Sequence, residues 1–184
     1  MSDPLPSAVG GPTAVYSNGT LAGDNAIAPN ISVRIGVAVA AGSGTQVRVT
    51  LKAGASSSVG VQGISCSHVS IGVSTGTLPN TTATPLEIKF GGVSGVTLNT
   101  SLAQQTSDFT LLSGLTWTST DTLVIICDQD ATINFDAAQV GAATIGAFAA
   151  VWEKAATTSW NVAAPAGFTN LGTFGYAVVS VETQ

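Results

Sequence analysis

The chain has 184 residues, 45% of them hydrophobic, and a net charge of −5 with only 8% charged side chains. Five basic residues, nowhere clustered, exclude the electrostatic footprint of a nucleic-acid binder. No apolar run reaches the roughly 18 residues of a membrane-crossing helix, and the length fits one domain, or one domain plus an arm, with a large core possible.

Residues 1–30 are rich in Pro, Gly and Ser and show little periodicity. They read as an extended N-terminal arm with at most one short strand near Val15. The first basic residue is Arg34, so the start has neither the basic region nor the apolar region of a secretory signal. Soluble domains usually carry roughly a quarter charged residues; here the surface must be built from Ser, Thr, Asn, Gln and Gly. That surface, without an export signal, suits a virion component made in a host cytoplasm and released by lysis. If the arm is ordered, a neighbouring subunit is a candidate to hold it.

From residue 31 to residue 184 the chain reads as a single β-sandwich domain, because apolar residues recur with period two. In "ISVRIGVAV", Ile31, Val33, Ile35, Val37 and Val39 share one face, and Ser32, Arg34, Gly36 and Ala38 the other. "AAGSGT" is a turn, and "QVRVTLK" turns Val47, Val49 and Leu51 inward, which predicts a hairpin of these two strands. "HVSIGV" and "LEIKF" alternate likewise, and "SGVTLN", "DFTLL" and "TINF" are shorter candidates. "TLVIIC" is apolar on both faces, as a central strand requires. The last pair of strands is expected at "TIGAFAAVWEKA" and "YAVVSVET". Alanine over residues 144–155 favours helix. Without an N-cap or a 3.6-residue stripe, and with Phe148, Ala150 and Trp152 alternating against Ala149, Val151 and Glu153, strand is preferred. The expected fold is an all-β, antiparallel, jelly-roll-like β-sandwich.

The candidate chemistry is thin. "CDQDATINFD" places Asp128, Asp130 and Asp136 close together. Counted from Asp128, an EF-hand loop would need Gly at Ile133 and Glu at Gln139, so that motif fails. A looser calcium site could use Asp128 and Asp130, but the favoured reading is a turn between strands in which Asp bonds its own backbone. Glu87, Glu153 and Glu182 are the only glutamates, and aromatics are 6% of the chain, so a glycosidase cleft is not expected. The lone histidine, His68, reads as an exposed residue at a strand start rather than a zinc ligand or catalytic base. Of Trp117, Trp152 and Trp160, the first two fall in predicted strands and read as core, and Trp160, in "TTSWN", is the candidate to stack on a sugar. Cys127 reads as a buried strand residue and Cys66 as a loop residue; whether they are bridged is open. Four N-x-S/T triplets, at Asn18, Asn30, Asn80 and Asn99, are ordinary in so Ser/Thr-rich a chain.

"SDFTLLSGLTWTSTDTLVIICDQD" resembles a segment of β-sandwich proteins of tailed bacteriophages and prophages: S-D-[FW], a short strand, then an "sDTLvv" strand. "VWEKAATTSWNVAAPAGFTNLGTFGYAVVSVETQ" is similar to their closing hairpin. The likeness covers roughly residues 65–184. It implies a non-enzymatic virion surface protein, such as a capsid decoration, head fibre, collar or tail component, with the arm as its attachment element. The implied partners are other virion proteins and further copies of the chain, a trimer among the possible oligomers. No catalytic residue and no cofactor is implied. The alternative is a carbohydrate-binding module for cell-surface glycans, working through Trp160.

Overall fold

In the computed structural model, residues 11–18, 25–27, 30–40, 44–54, 63–111, 116–129, 135–138, 143–155, 158–173 and 176–184 are described. The described residues form strands β1 (Thr13–Ser17), β2 (Asn25–Ile27), β3 (Ile31–Ala38), β4 (Gln46–Lys52), β5 (Ile64–Ser74), β6 (Leu86–Phe90), β7 (Val93–Ser94) and β8 (Val96–Leu98). They continue with β9 (Gln104–Thr106), β10 (Thr110–Leu111), β11 (Thr122–Gln129), β12 (Phe135–Ala137), β13 (Ala147–Ala155), β14 (Thr169–Gly172) and β15 (Val178–Thr183). No helix occurs among them.

One sheet runs β1-β15-β4-β10, with β9 also on β4. The other runs β14-β13-β3-β11-β5-β6-β7, with β8 also on β5. Every pairing in them is antiparallel. Along the chain the strands alternate between sheets: β1 in the first, β3 in the second, β4 in the first, β5 and β6 in the second. The alternation continues with β9 and β10 in the first, β11 in the second and β15 in the first. This interleaving defines a jelly roll, to which β13 and β14 add a two-stranded extension on the β3 edge. β2 and β12 form a small separate ribbon.

The inward faces are those the alternation predicted. Val33, Ile35 and Val37 of β3, Leu123, Ile125 and Cys127 of β11, and Val47, Val49 and Leu51 of β4 are all within 2% of complete burial. They join Val69, Ile71, Ile88, Val178 and Val181 in one core between the sheets. β11 lies between β3 and β5, and its apolar outward residues Val124 and Ile126 are buried as well. Residues 147–155 are strand β13, which settles the helix alternative against helix. Within the segment read as an arm, β1 pairs with β15, and Val15 and Tyr16 are buried in the core. Residues 1–10 lie outside the described residues.

Two expected pairings are corrected. β3 and β4 are not a hairpin: β3 pairs with β11 and β13, whereas β4 pairs with β15, β9 and β10 in the other sheet. β13 and β15 likewise belong to different sheets. In a jelly roll, consecutive strands cross the sandwich and partners come from far along the chain. Alternation identifies the buried face of a strand but carries no information about its neighbour.

Candidate functional site

Over β3, β11 and the adjoining half of β5, the outward face of the second sheet is covered rather than solvated. Ser32 and Arg34, on the face of β3 opposite its inward residues, are as buried as Val33 between them. The cover is the segment between β13 and β14, chiefly residues 158–168, with the turn at residues 79–82.

Arg34 organises that cover. Its Nη1 donates to the carbonyls of Pro79 at 3.0 Å and Ala163 at 3.5 Å. Its Nη2 donates to the carbonyl of Ser159 at 3.0 Å and to that of Val162. The Phe168 ring lies 5.4 Å from the guanidinium carbon, within cation–π range. Four carbonyls along two loops thus converge on one planar, forked cation, a task suited to Arg rather than Lys. Burial pushes the guanidinium down to about 10, and the nearby Asp128 carboxylate opposes that fall.

Asp128 is the second anchor. It is not a turn residue but the seventh residue of the eight-residue β11, on the same face as Arg34 and 3% exposed. The Ser32 hydroxyl donates to Oδ1 at 2.6 Å, and the backbone N–H groups of Ser159 and Trp160 donate to Oδ2 at 2.8 and 3.0 Å. A buried carboxylate holding two backbone N–H groups makes charge-assisted bonds, among the stronger ones available to a protein. The Ser159 hydroxyl completes the cluster, 2.6 Å from that of Ser32. Asp130 lies outside the described residues, as does the side chain of Asp136. Among the described residues no three His, Cys, Asp or Glu side chains gather at metal-binding separation.

Further bonds run along the cover. Ser70 donates its hydroxyl proton to the Trp160 carbonyl. The Thr81 N–H donates to the Ala163 carbonyl at 2.8 Å. Gly72 is required beneath Thr81, since a Cβ there would meet the Thr81 Cγ2 at 2.5 Å. Small outward residues on β3 and β5 (Ser32, Gly36, Ser70, Gly72, Ser74) leave room for a covering layer. That run of small residues around a lone Arg is the sequence signal that could have revealed the cover.

The cover carries the aromatic pair of the site. Trp160 sits in a turn, half-buried, with its ring stacked on His68 at 4.7 Å between centroids and 5° between planes. His68 is therefore not a free surface residue, but the half-buried support of the indole. Val162, 39% exposed, lies two residues further along the same loop. Beyond Thr81, a polar recess of about 150 Å³ is lined by Ser74, Thr75, Thr77, Asn80 and Thr82. Its hydroxyls and single amide offer neutral donors and acceptors.

Of the other sequence candidates, Trp152 is a buried strand residue opposite Arg34. Trp117 packs against the core from outside any strand, which corrects its expected place in one. Cys66 is not in a loop but in β5, where it is buried, and neither cysteine is bridged.

A second surface feature lies where the two sheets meet. Val93 in β7 and Leu111 in β10 are 63% and 62% exposed, the two most exposed large apolar side chains among the described residues. Their strands flank one junction: the Asp108 N–H donates to the Lys89 carbonyl at 2.8 Å, and its carboxylate accepts the Gly92 N–H at 2.7 Å.

No protein-family model matches the chain, and no curated protein matches it.

Proposed function

We propose that this chain is a non-enzymatic structural protein of a bacteriophage virion, a capsid decoration, head fibre, collar or tail component that assembles with copies of itself. One observation carries the assembly reading: Val93 and Leu111 are exposed on edge strands of the two sheets. Both strands are two residues long, open sheet edges can pair with another chain, and a second copy is the occupant proposed for them. The buried network supports the same reading, because the Asp128 and Arg34 side chains are occupied in holding a loop. The resemblance of residues 65–184 to phage surface proteins supports the virion assignment. The attachment role that the resemblance implies for the N-terminal arm does not extend to β1, which pairs with β15 and buries Val15 and Tyr16 in this chain's own core.

The test is native mass by light scattering, followed by sedimentation with assembled particles from the same genome. A stable trimer or larger oligomer that Val93→Asp with Leu111→Asp reduces to a folded monomer supports the reading. A wild-type monomer that does not sediment with particles overturns it.

A second reading is carbohydrate binding, favoured by the half-exposed Trp160 held on His68 and by the hydroxyl-lined recess beyond Thr81. An indole face matches the apolar face of a sugar ring. A glycan array on which wild type binds and Trp160→Ala does not would support it, and an array without hits would remove it.

A further inference from the structure

The chain's two cysteines, 61 positions apart in sequence, meet in the core on neighbouring strands. Cys127 of β11 stands opposite Val69, and Cys66 of β5 stands opposite Gln129. Between these pairs the ladder is out of step: Asp128 faces His68 and Gln129 faces Cys66, so Ser67 is an extra residue, a β-bulge. The bulge has a consequence for orientation. Without it, the residue opposite Gln129 would be Ser67, and Cys66 would turn to the outer face. With it, Cys66 and Cys127 both point inward, diagonal to each other on neighbouring strands, into one core.

We propose that Cys66 and Cys127 are a disulfide-forming pair, a thiol–disulfide exchange site whose co-substrate is a low-molecular-weight disulfide. One thiolate attacks the small disulfide, forming a mixed disulfide and releasing one small thiol. The second thiolate attacks the protein sulfur of that mixed disulfide, closing the Cys66–Cys127 bond and releasing the second small thiol. Two electrons pass from the cysteines to the small disulfide, and the two cysteine protons end on the two small thiols.

The bond would tie β5 to β11 beneath the cover. Asp128 follows Cys127 directly, and His68 lies two residues beyond Cys66. The staple therefore fixes the register that sets Asp128 and His68 under the Ser159–Trp160 turn. It also gives the molecule a reduced form in a reducing cytoplasm and a stapled form after release into oxidising surroundings. In the native state Cys66 is covered by β8, whose Val96 is its partner on that side. Burial also pushes its thiol up, which keeps it protonated and slow to exchange. Exchange then occurs during folding or when the three-residue β8 lifts.

The experiment refolds the full chain from urea with oxidised glutathione, alkylates free thiols under denaturing conditions, and reads intact mass. The expected product has lost two hydrogen atoms, takes up no alkyl group, and yields a Cys66–Cys127 cross-linked peptide. Its urea midpoint lies above that of the reduced chain and returns on reduction. Cys66→Ser and Cys127→Ser, each with one thiol, should stop at the glutathione adduct, which shows that exchange reaches the site. Stable glutathione adducts or two alkylated thiols in the wild-type chain would overturn the proposal. So would a bridged chain with a lower urea midpoint than the reduced one.

Discussion

Arg34 and Asp128, one a cation and the other an anion, stand on the same outward face of adjacent strands β3 and β11, both buried. They are not a contact pair: each binds the covering segment, Arg34 through carbonyls and Asp128 through N–H groups. The peptide that links Ser159 to Trp160 is thus held by opposite charges at opposite ends of its dipole, its carbonyl by Arg34 and its N–H by Asp128. The first prediction follows. Asp128→Asn keeps the side-chain shape but leaves the Arg34 charge without its counter-charge, and should cost about 3–5 kcal/mol in urea unfolding. Arg34→Met combined with Asp128→Asn should cost less than the sum of the single changes, because the stranded charge is then gone.

His68 supports the Trp160 ring but not its backbone. His68→Ala should therefore cost only about 0.5–1.5 kcal/mol and leave residues 158–168 resistant to protease. Asp128→Asn should open the same segment to cleavage. Limited proteolysis with mass mapping distinguishes the two; cleavage in His68→Ala but not in Asp128→Asn would show that the stack, not the carboxylate, holds the loop.

The other charged pair lies on the first sheet and is a contrast. Arg48 meets Glu182 at 2.6 Å, with both side chains partly exposed, and its guanidinium lies 4.6 Å from the Phe109 centroid. Solvent screens such a pair, so Glu182→Gln should cost less than about 1 kcal/mol and lose that effect in high salt.

Gly72→Ala should cost about 1–3 kcal/mol by overpacking, since the new Cβ would sit 2.5 Å from the Thr81 Cγ2. Thr81→Ser removes that methyl group, keeps the hydroxyl bonded to the Ala83 carbonyl, and should recover part of the loss. Comparison of the two urea midpoints is the check.

Tyr16 is buried against Phe148, ring centroids 6.1 Å apart, and burial pushes its phenol far above the usual range, with the Asn18 side chain offsetting part of the rise. Above about pH 10 the unfolded chain releases this proton while the folded chain retains it. The unfolded state then binds fewer protons, so stability falls as pH rises. Tyr16→Phe should flatten that fall, seen as a higher alkaline unfolding midpoint.

How much of this was legible in the sequence depended on the range of the interaction. Period-two alternation in residues 31–39, 46–52 and 69–73 identified the inward faces, because burial of one face is a local property of a strand. The double-sided run at residues 122–127 identified the central strand for the same reason. Trp160 stood out as a loop aromatic, and the charge-poor composition pointed to a Ser/Thr surface. These the sequence determined by itself.

Strand partners, the cover and the aromatic stack were decided only by the tertiary structure. The apparent hairpin of residues 31–52 dissolved because a jelly roll sends consecutive strands to opposite sheets. Asp128 looked like a turn residue because its bonding partners, Ser32, Ser159 and Trp160, lie 96, 31 and 32 positions away. His68 looked free because Trp160 meets it only after the loop folds back across the sheet. Arg34 shows the physical reason most plainly: four carbonyls on two loops leave no local pattern, and only their convergence in space makes a buried charge tolerable.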